Sequence, residues 1–254
     1  MTELVHLDVA RGVATVTLDS PPNRNALSAQ VRRELAAHLA TALADDAVRV
    51  LVLSHTGPVF CSGMDLKEAG GADASTQGVA ELPALLDALW TSAKPVVARL
   101  AGPARAGGVG LVAACDIAVA ADTATFAFTE VRIGVVPAVI SVPVLPRLLA
   151  RQAHELFLTG EVFDAGRAVE IGLLNRAVSA SELDAEVARY AGMLALGGPL
   201  ALAATKRLLT ARHPLTDELA RMQELSAGFF ASEEGQEGIR AFAEKRPARW
   251  VPED

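Results

Sequence analysis

The sequence predicts an α/β fold that ends in an all-helical region. Short apolar segments alternate with helical patterns as far as Asp164, helical patterns dominate beyond it, and no long linker divides the chain. Of the 254 residues, 51% are apolar and 21% are charged, which excludes a disordered chain. Aromatic residues make up only 4%, so Ala, Val and Leu must form the core. We expect one structural unit with a core over residues 1–198 and a helical region over 199–254.

Hydrophobic periodicity defines the first elements. Alternating apolar residues predict strands over Leu4–Val9 and Val13–Leu18 that pair as a hairpin. Ser28 can cap a helix over Ala29–Leu43, in which apolar residues recur every four positions. The mostly apolar segment Val48–Ser54 is typical of a strand that is covered on both faces.

The next segment combines a helix signal with a loop-like composition. Asp65 and Glu68 have the spacing of a capping box, which predicts that a helix starts there. Residues 69–78 are rich in Gly, Ala, Ser and Asp, and we expect a mobile loop. A helix over Val79–Ser92 and a strand over Pro95–Leu100 should follow.

A glycine-rich turn leads into the last strands and the helical region. We expect a short helix over about Gly108–Ala114 and strands over Ile117–Ala120 and Thr125–Ala127. The remaining helical patterns cover residues 164–171, 181–196, 199–211, 216–229 and 232–244.

Charge and composition exclude several functional classes. The net charge of −7 argues against a nucleic-acid or anionic-membrane partner, which would need a basic face. Glycines and prolines interrupt every apolar stretch that approaches a membrane span, and the first residues, MTELVHLDVA, lack a signal-peptide pattern. We therefore expect a cytoplasmic protein with Cys61 and Cys115 as reduced thiols. The five histidines have no metal-binding spacing, so no metal is expected.

The glycine-rich turn has two interpretations. Gly108–Ala113 matches the GxGxxA pattern of dinucleotide sites, but seven residues separate it from the preceding strand, where a dinucleotide-binding turn would be tight. Alternatively, a helix that begins near Gly107 leaves its first N–H groups unpaired, and the loop over Gly57–Leu66 offers a second set. Two sets that converge on one oxygen would form an oxyanion hole for a thioester, although spacing alone does not establish convergence.

Six segments in the same order along nearly the whole chain resemble the enoyl-CoA hydratase/isomerase (crotonase) family. They are Pro21–Ser28, Phe60–Leu66, Gly107–Ile117, Phe128–Gly134, Leu158–Gly160 and Glu237–Arg246. The resemblance implies a crotonase-like spiral of ββα turns, a helical C-terminal trimerisation region, and a coenzyme A thioester as substrate. It implies no separate cofactor, because coenzyme A is part of the substrate.

The resemblance also assigns roles to individual residues. Met64 and Gly107 would donate the two backbone N–H groups of the oxyanion hole. The substrate-binding positions implied are Arg24, Ala26, Ser62, Gly63, Met64, Asp65, Leu66, Gly107 and Lys245. Arg24 would approach the coenzyme A phosphates, or alternatively be a solvated loop arginine. Lys245 would lie near the coenzyme of an adjacent subunit. Asp65 could also serve as a helix N-cap.

Glu130 matches the family's second catalytic glutamate. It lies among Phe128, Val131 and Ile133, so desolvation should raise the pKa of its carboxyl, as proton transfer near neutral pH requires. The alternatives are a carboxylate that pairs with Arg132 and a residue on a surface strand.

Two positions depart from the family pattern. Gly110 stands where the first catalytic glutamate is expected, and Pro137–Ser141 carries larger side chains than the Pro-Gly-rich turn of many relatives, which should reshape the acyl pocket. The resemblance therefore implies an enoyl-CoA hydratase with one catalytic glutamate, and similar combinations occur in hydratases of branched or carboxylated enoyl-CoAs. A Δ3,Δ2-enoyl-CoA isomerase, other crotonase chemistry such as decarboxylation or thioester hydrolysis, and a silent acyl-CoA binding protein stay open.

Apolar stripes in the C-terminal helices predict an interface between subunits, because a small group of helices could not bury them alone. The family resemblance implies that the assembly is a homotrimer or a dimer of trimers, and the alternative is a monomer whose tail folds back on its own core. The residues in these stripes are Leu208, Leu209, Leu215, Leu219, Met222, Leu225, Phe229, Phe230, Ile239 and Phe242.

Overall fold

The computed structural model describes residues 2–68, 72–210 and 215–251. Its strands are β1 (Val5–Ala10), β2 (Val13–Leu18), β3 (Val50–His55), β4 (Val96–Leu100), β5 (Ala104–Arg105), β6 (Ile117–Ala121), β7 (Thr125–Ala127), β8 (Phe163–Asp164) and β9 (Arg176–Val178). Within the described residues they form a six-stranded sheet in the order β1-β2-β3-β4-β6-β9 and a three-stranded sheet in the order β5-β7-β8. The first two strands are an antiparallel hairpin, as predicted, and the rest of the larger sheet is parallel.

The helices surround these sheets. They are α1 (Ala29–Ala44), α2 (Ala72–Thr91), α3 (Gly107–Ala114), α4 (Ala138–Val144), α5 (Ala150–Thr159), α6 (Ala165–Glu170), α7 (Leu183–Ala195), α8 (Pro199–Thr210), α9 (Thr216–Ala231) and α10 (Glu233–Glu244). Ser28 caps α1 as predicted, because its side chain accepts a hydrogen bond from the Val31 N–H. The mixed α/β class with a parallel sheet is therefore confirmed.

The large sheet is covered on both faces. Every residue of β3 is buried, which confirms the prediction for this apolar segment. Leu51 and Leu53 face the main core, whereas Val50 and Val52 pack with Leu183 and other residues of α7 on the opposite face. Both cysteines are free thiols in the main core. Burial raises the pKa of each thiol to about 12, so neither is suited to act as a nucleophile.

The capping box predicted at Asp65 forms only in part. The Asp65 carboxylate accepts hydrogen bonds from Asn23 Nδ2 at 2.7 Å and from the Lys67 N–H at 3.0 Å, within a turn. The Glu68 carboxylate accepts from the Ala29 N–H at 2.8 Å and so joins this loop to the start of α1. Asp65 therefore accepts a local N–H as an N-cap residue does, whereas Glu68 binds α1 and does not complete the capping box.

The loop predicted over residues 69–78 is also largely wrong. Residues 69–71 lie outside the described residues, but α2 already begins at Ala72. The alanines, serine and glutamine of this stretch permit a helix, and Gly78 costs only about 1 kcal/mol inside one.

The C-terminal helices fold back onto the chain's own core. Helix α9 packs against α2 and α4, and α10 packs against the turn at Glu130–Ile133. This packing corrects the expectation that the tail cannot bury its apolar stripes, because Leu215, Leu219, Phe230 and Ile239 are buried within the same chain. Leu208 and Leu209 remain 73% and 70% exposed, together with Leu225 and Phe242.

No single helix of the described segments is long and apolar enough to cross a membrane. Helices α7 and α8, bent by 107° at their junction, meet that criterion together by length and composition alone.

Candidate active site

Three backbone segments run side by side and end at the same edge. Cys61 forms a parallel bridge with Ala104, and the Arg105 N–H donates to the Cys61 carbonyl at 2.9 Å. Ala104 in turn pairs in parallel with Phe126 of β7. Since parallel segments present their carboxyl ends at one edge, the chain leaves them toward Met64, Gly107 and Glu130 on the same side. The predicted convergence of these three residues therefore has a simple structural cause.

The two candidate amide donors lie next to each other. Gly63 has φ 89°, and a β-carbon placed on it would lie only 3.5 Å from the Gly107 nitrogen. The Leu27 N–H donates to the Gly63 carbonyl at 2.8 Å. Because the carbonyl and N–H of a trans peptide point in opposite directions, the Met64 N–H points away from Leu27. Among the described residues, none accepts a hydrogen bond from the Met64 or Gly107 N–H.

Helix α3 adds the electrostatics of its first turn. Gly107 is its first residue, so its N–H has no acceptor within the helix and lies at the positive end of the helix dipole. The preceding Ala106 has φ 47° and ψ −120°, a conformation that a residue with a β-carbon rarely adopts. A hydrogen bond from the Ala106 N–H to the Ala127 carbonyl, at 3.2 Å, holds this turn against β7.

Glu130 begins a short 3-10 turn, Glu130–Ile133, which ends at Gly134 with φ 66°. Its Oε2 atom is buried and has no hydrogen-bond partner among the residues that the structure describes. Desolvation raises the pKa of Glu130 to about 7. The predicted alternative, an ion pair with Arg132, is absent from the described residues. The carboxyl can therefore exist with or without its proton near neutral pH, which suits a group that accepts and returns a proton.

A cavity of 360 Å³ opens onto these groups. It is lined by Arg24, Ser62, Met64, Leu66, Leu82, Arg105, Ala106, Gly107, Thr129, Glu130, Arg132, Ile133, Val136, Pro137, Ala138, Val139, Ile140, Ser226, Phe230 and Phe242. The wall is mainly apolar, with three arginines and one carboxylate among the lining residues. This composition suits an apolar chain attached to an anionic carrier.

Buried polar side chains brace the loops that carry the amides. Asn25 is fully buried, accepts from the Ser20 N–H at 2.7 Å, and donates to the carbonyls of Thr56 at 3.0 Å and Val59 at 2.7 Å. His55 Nε2 accepts from the Ala101 N–H at 2.9 Å, so its Nδ1 carries the proton in the neutral ring. Burial lowers the pKa of His55 and keeps the ring neutral. These contacts fix the entry and exit of the loop before Met64.

Comparisons with known proteins match this arrangement over the whole chain. The model of the enoyl-CoA hydratase/isomerase family matches residues 8–253. The chain belongs to this family. The crystal structure of an enoyl-CoA hydratase from Mycobacterium avium is similar, with a TM-score of 0.90 and 45% identity over 99% of this chain and 100% of that one. Carnitinyl-CoA dehydratase of Proteus mirabilis is 35% identical over 98% of this chain and 99% of its own length. The mitochondrial enoyl-CoA hydratase domain-containing protein 3 of Rattus norvegicus is 32% identical over 94% of this chain and 81% of its own length.

In this member of the enoyl-CoA hydratase/isomerase family, most of the predicted site residues lie together. Arg24, Ser62, Met64, Leu66, Gly107 and Glu130 line the cavity. Gly63 lies behind them against Ala106, and Ala26 is buried outside the lining. Asp65 is outside it as well, bound to Asn23.

Lys245 lies apart from the other predicted residues. It is exposed at the end of α10, and it is not among the residues that line the cavity. Phe242 of the same helix lines the cavity of its own chain. The contact of Lys245 with the coenzyme of an adjacent subunit stays a prediction.

Several lining residues of this family member were not predicted from the sequence. Arg105 donates to the Thr125 carbonyl at 2.6 Å and to Thr125 Oγ1 at 2.8 Å. The sequence did offer one signal for Arg105, because it is a single charged residue between a buried strand and a glycine-rich turn. Ser226 and Phe230 reach the cavity from α9, about 100 residues further along the chain than Glu130, and no local pattern indicates this.

Proposed function

We propose that the protein is an enoyl-CoA hydratase that adds water to an α,β-unsaturated acyl-CoA thioester. The observation that carries this proposal is the buried, unpartnered Glu130 Oε2 atom in the same cavity as the unpaired Met64 and Gly107 N–H groups. A carbonyl oxygen that accepts from both N–H groups gains negative charge as the thioester becomes an enolate. Pre-arranged donors of this kind stabilise such charge more than water does.

Glu130 moves the proton in this mechanism. Its carboxylate takes a proton from water while the water oxygen bonds to C3, and the electrons of the C2–C3 double bond move into the enolate. The protonated carboxyl then returns the proton to C2 as the enolate collapses to the thioester. One carboxyl thus completes the addition, and its pKa near 7 suits both steps.

Coenzyme A would enter at the mouth of the cavity. Arg24 is exposed there, and its carbonyl accepts a hydrogen bond from the Ser62 N–H at 3.1 Å, which places it beside the amide-donor loop. Its guanidinium can approach the coenzyme phosphates as a charge-assisted donor.

Arg132 favours an acyl group that bears a carboxylate. It lines the cavity two residues after Glu130, and it forms no ion pair with any described residue. We expect Arg132→Gln to lower kcat/KM about tenfold or more for glutaconyl-CoA and to leave crotonyl-CoA, which lacks the carboxylate, nearly unchanged. An equal effect on both substrates would contradict this assignment.

A Δ3,Δ2-enoyl-CoA isomerase is the second candidate, and one observation favours it. Glu130 is the one carboxylate in the described cavity lining, and moving a proton within one face of the substrate needs only one.

Three thioesters separate these functions. The purified protein is incubated with crotonyl-CoA, a 3-enoyl-CoA and 3-methylglutaconyl-CoA, and the products are separated by liquid chromatography against 2-enoyl and 3-enoyl standards before their masses are measured. Hydration adds one water to a 2-enoyl substrate, whereas isomerisation converts the 3-enoyl substrate without a change in mass. Tight binding of all three without turnover would contradict both enzymatic proposals and indicate a silent acyl-CoA binding protein.

A further inference from the structure

Gly110 and Ile140 fit together inside the molecule. Gly110 is fully buried in α3, and a β-carbon placed on it would lie 2.8 Å from Ile140 Cγ2 and 3.2 Å from Ile140 Cβ. Real β-carbons essentially never approach a neighbour as closely as 2.8 Å. Ile140 is itself 3% exposed, so it has little room to withdraw. The side chain of Ile140 therefore occupies the space into which any side chain at position 110 would project.

Ile140 also forms part of the cavity wall, whereas Gly110 does not reach the cavity. Gly110 follows Gly107 by three residues, so both lie on one face of α3, about 4.5 Å apart along its axis. Because Gly107, Glu130 and Ile140 line the same cavity, an acyl chain whose thioester carbonyl is held by the Gly107 N–H shares this cavity with the Ile140 side chain. An extra methyl group at C3 widens the acyl chain in the space that Ile140 bounds.

We propose that Ile140, seated over Gly110, is a specificity-determining residue that selects acyl groups unbranched at C3. This inference rests on the proposed function for the position of the thioester carbonyl. It argues against groups branched at C3 among the branched or carboxylated acyl groups that the family resemblance suggested. It also explains why the two departures from the family pattern occur together, because the large side chain at position 140 requires the small residue at position 110.

Binding of saturated thioesters tests the proposal without turnover. Dissociation constants for butyryl-CoA and isovaleryl-CoA, which differ by one methyl group at C3, are measured for the wild type and Ile140→Ala. Apolar pockets discriminate single carbon groups by about 10- to 200-fold. The dissociation constant for isovaleryl-CoA divided by that for butyryl-CoA should therefore be about tenfold or more lower in Ile140→Ala than in the wild type. Val144→Ala is the matched control, since Val144 is buried in the same helix but does not line the cavity.

A stability cycle tests the contact itself. Gly110→Ala should lower the melting temperature of the wild type by about 2–10 °C, because the added carbon overlaps Ile140. In the Ile140→Ala background the same substitution should have little effect.

The two measurements have distinct outcomes. A ratio for Ile140→Ala within about twofold of the wild-type and Val144→Ala ratios would overturn the proposal. An equal loss of melting temperature from Gly110→Ala in both backgrounds would also overturn it. Absence of crotonyl-CoA hydration by the wild type would contradict the proposed function instead, because saturated thioesters report binding alone.

Discussion

The buried Glu130 carboxyl should make the stability of the protein fall as pH rises. Burial raises the pKa of Glu130 from 4.5 to about 7 in the folded chain. Between these two values the unfolded chain loses the proton while the folded chain keeps it, so unfolding becomes easier with increasing pH. Each pH unit of this window is worth ~1.4 kcal/mol, which gives a total of about 3 kcal/mol.

Glu130→Gln removes this dependence, because glutamine stays neutral at every pH and has nearly the same shape. At pH 5 the variant and the wild type should differ little in melting temperature. At pH 8 the variant should be more stable by about 2–3 kcal/mol, or about 5–10 °C in melting temperature. Thermal unfolding followed by circular dichroism at both pH values measures the difference.

Glu161→Gln provides the control, since Glu161 is exposed and outside the cavity. Its melting temperature should differ from that of the wild type by the same small amount at both pH values. If Glu130→Gln behaved like Glu161→Gln, the carboxyl of Glu130 would be solvated, and the physical basis of its role would fail.

Three further predictions concern the amide donors, the bracing of their loop and the assembly. Gly107→Pro should lower kcat about 10²–10³-fold on every thioester, because proline has no N–H. Gly107→Ala keeps the N–H at a φ that is not positive, and its β-carbon would meet the movable end of the Leu27 side chain at 3.1 Å, so it should keep most activity. Equal losses in the two variants would indicate steric damage. Asn25→Asp should lower the free energy of unfolding in urea by about 2–3 kcal/mol, because two carbonyls lose their donor; an unchanged midpoint would contradict the bracing. Light scattering should give three or six times the chain mass, since the exposed leucines of α8 need a partner, and a mass near 26.4 kDa would contradict a trimer.

Local patterns predicted the regular elements well. The hairpin and the fully buried β3 follow from hydrophobic periodicity, and Ser28 caps α1 as its position in the sequence indicated. Strands β5 and β8 have two residues each, too short for any period, and they form only because distant segments align beside them. The incomplete capping box at Asp65 has the same origin, because the Glu68 carboxylate binds the distant Ala29 N–H instead of closing the box.

The candidate site was predictable residue by residue but not as a packed surface. The apolar neighbours of Glu130 indicated a raised pKa, and the two glycine-rich loops indicated unpaired N–H groups. The contact between Gly110 and Ile140 joins positions 30 residues apart, so each departure was visible in the sequence while their mutual fit was not. The return of α9 to cover the cavity likewise depends on tertiary packing alone.

The central claim is that the Glu130 carboxyl transfers the proton during hydration. Two measurements on Glu130→Gln test it most directly: the rate at which the variant hydrates crotonyl-CoA and the affinity of the variant for butyryl-CoA. The substitution removes the proton acceptor and preserves the shape of the cavity. Hydration should fall about 10²–10⁴-fold, while the dissociation constant for butyryl-CoA should stay within about threefold of the wild-type value. Retention of more than about a tenth of wild-type hydration would contradict the role assigned to Glu130.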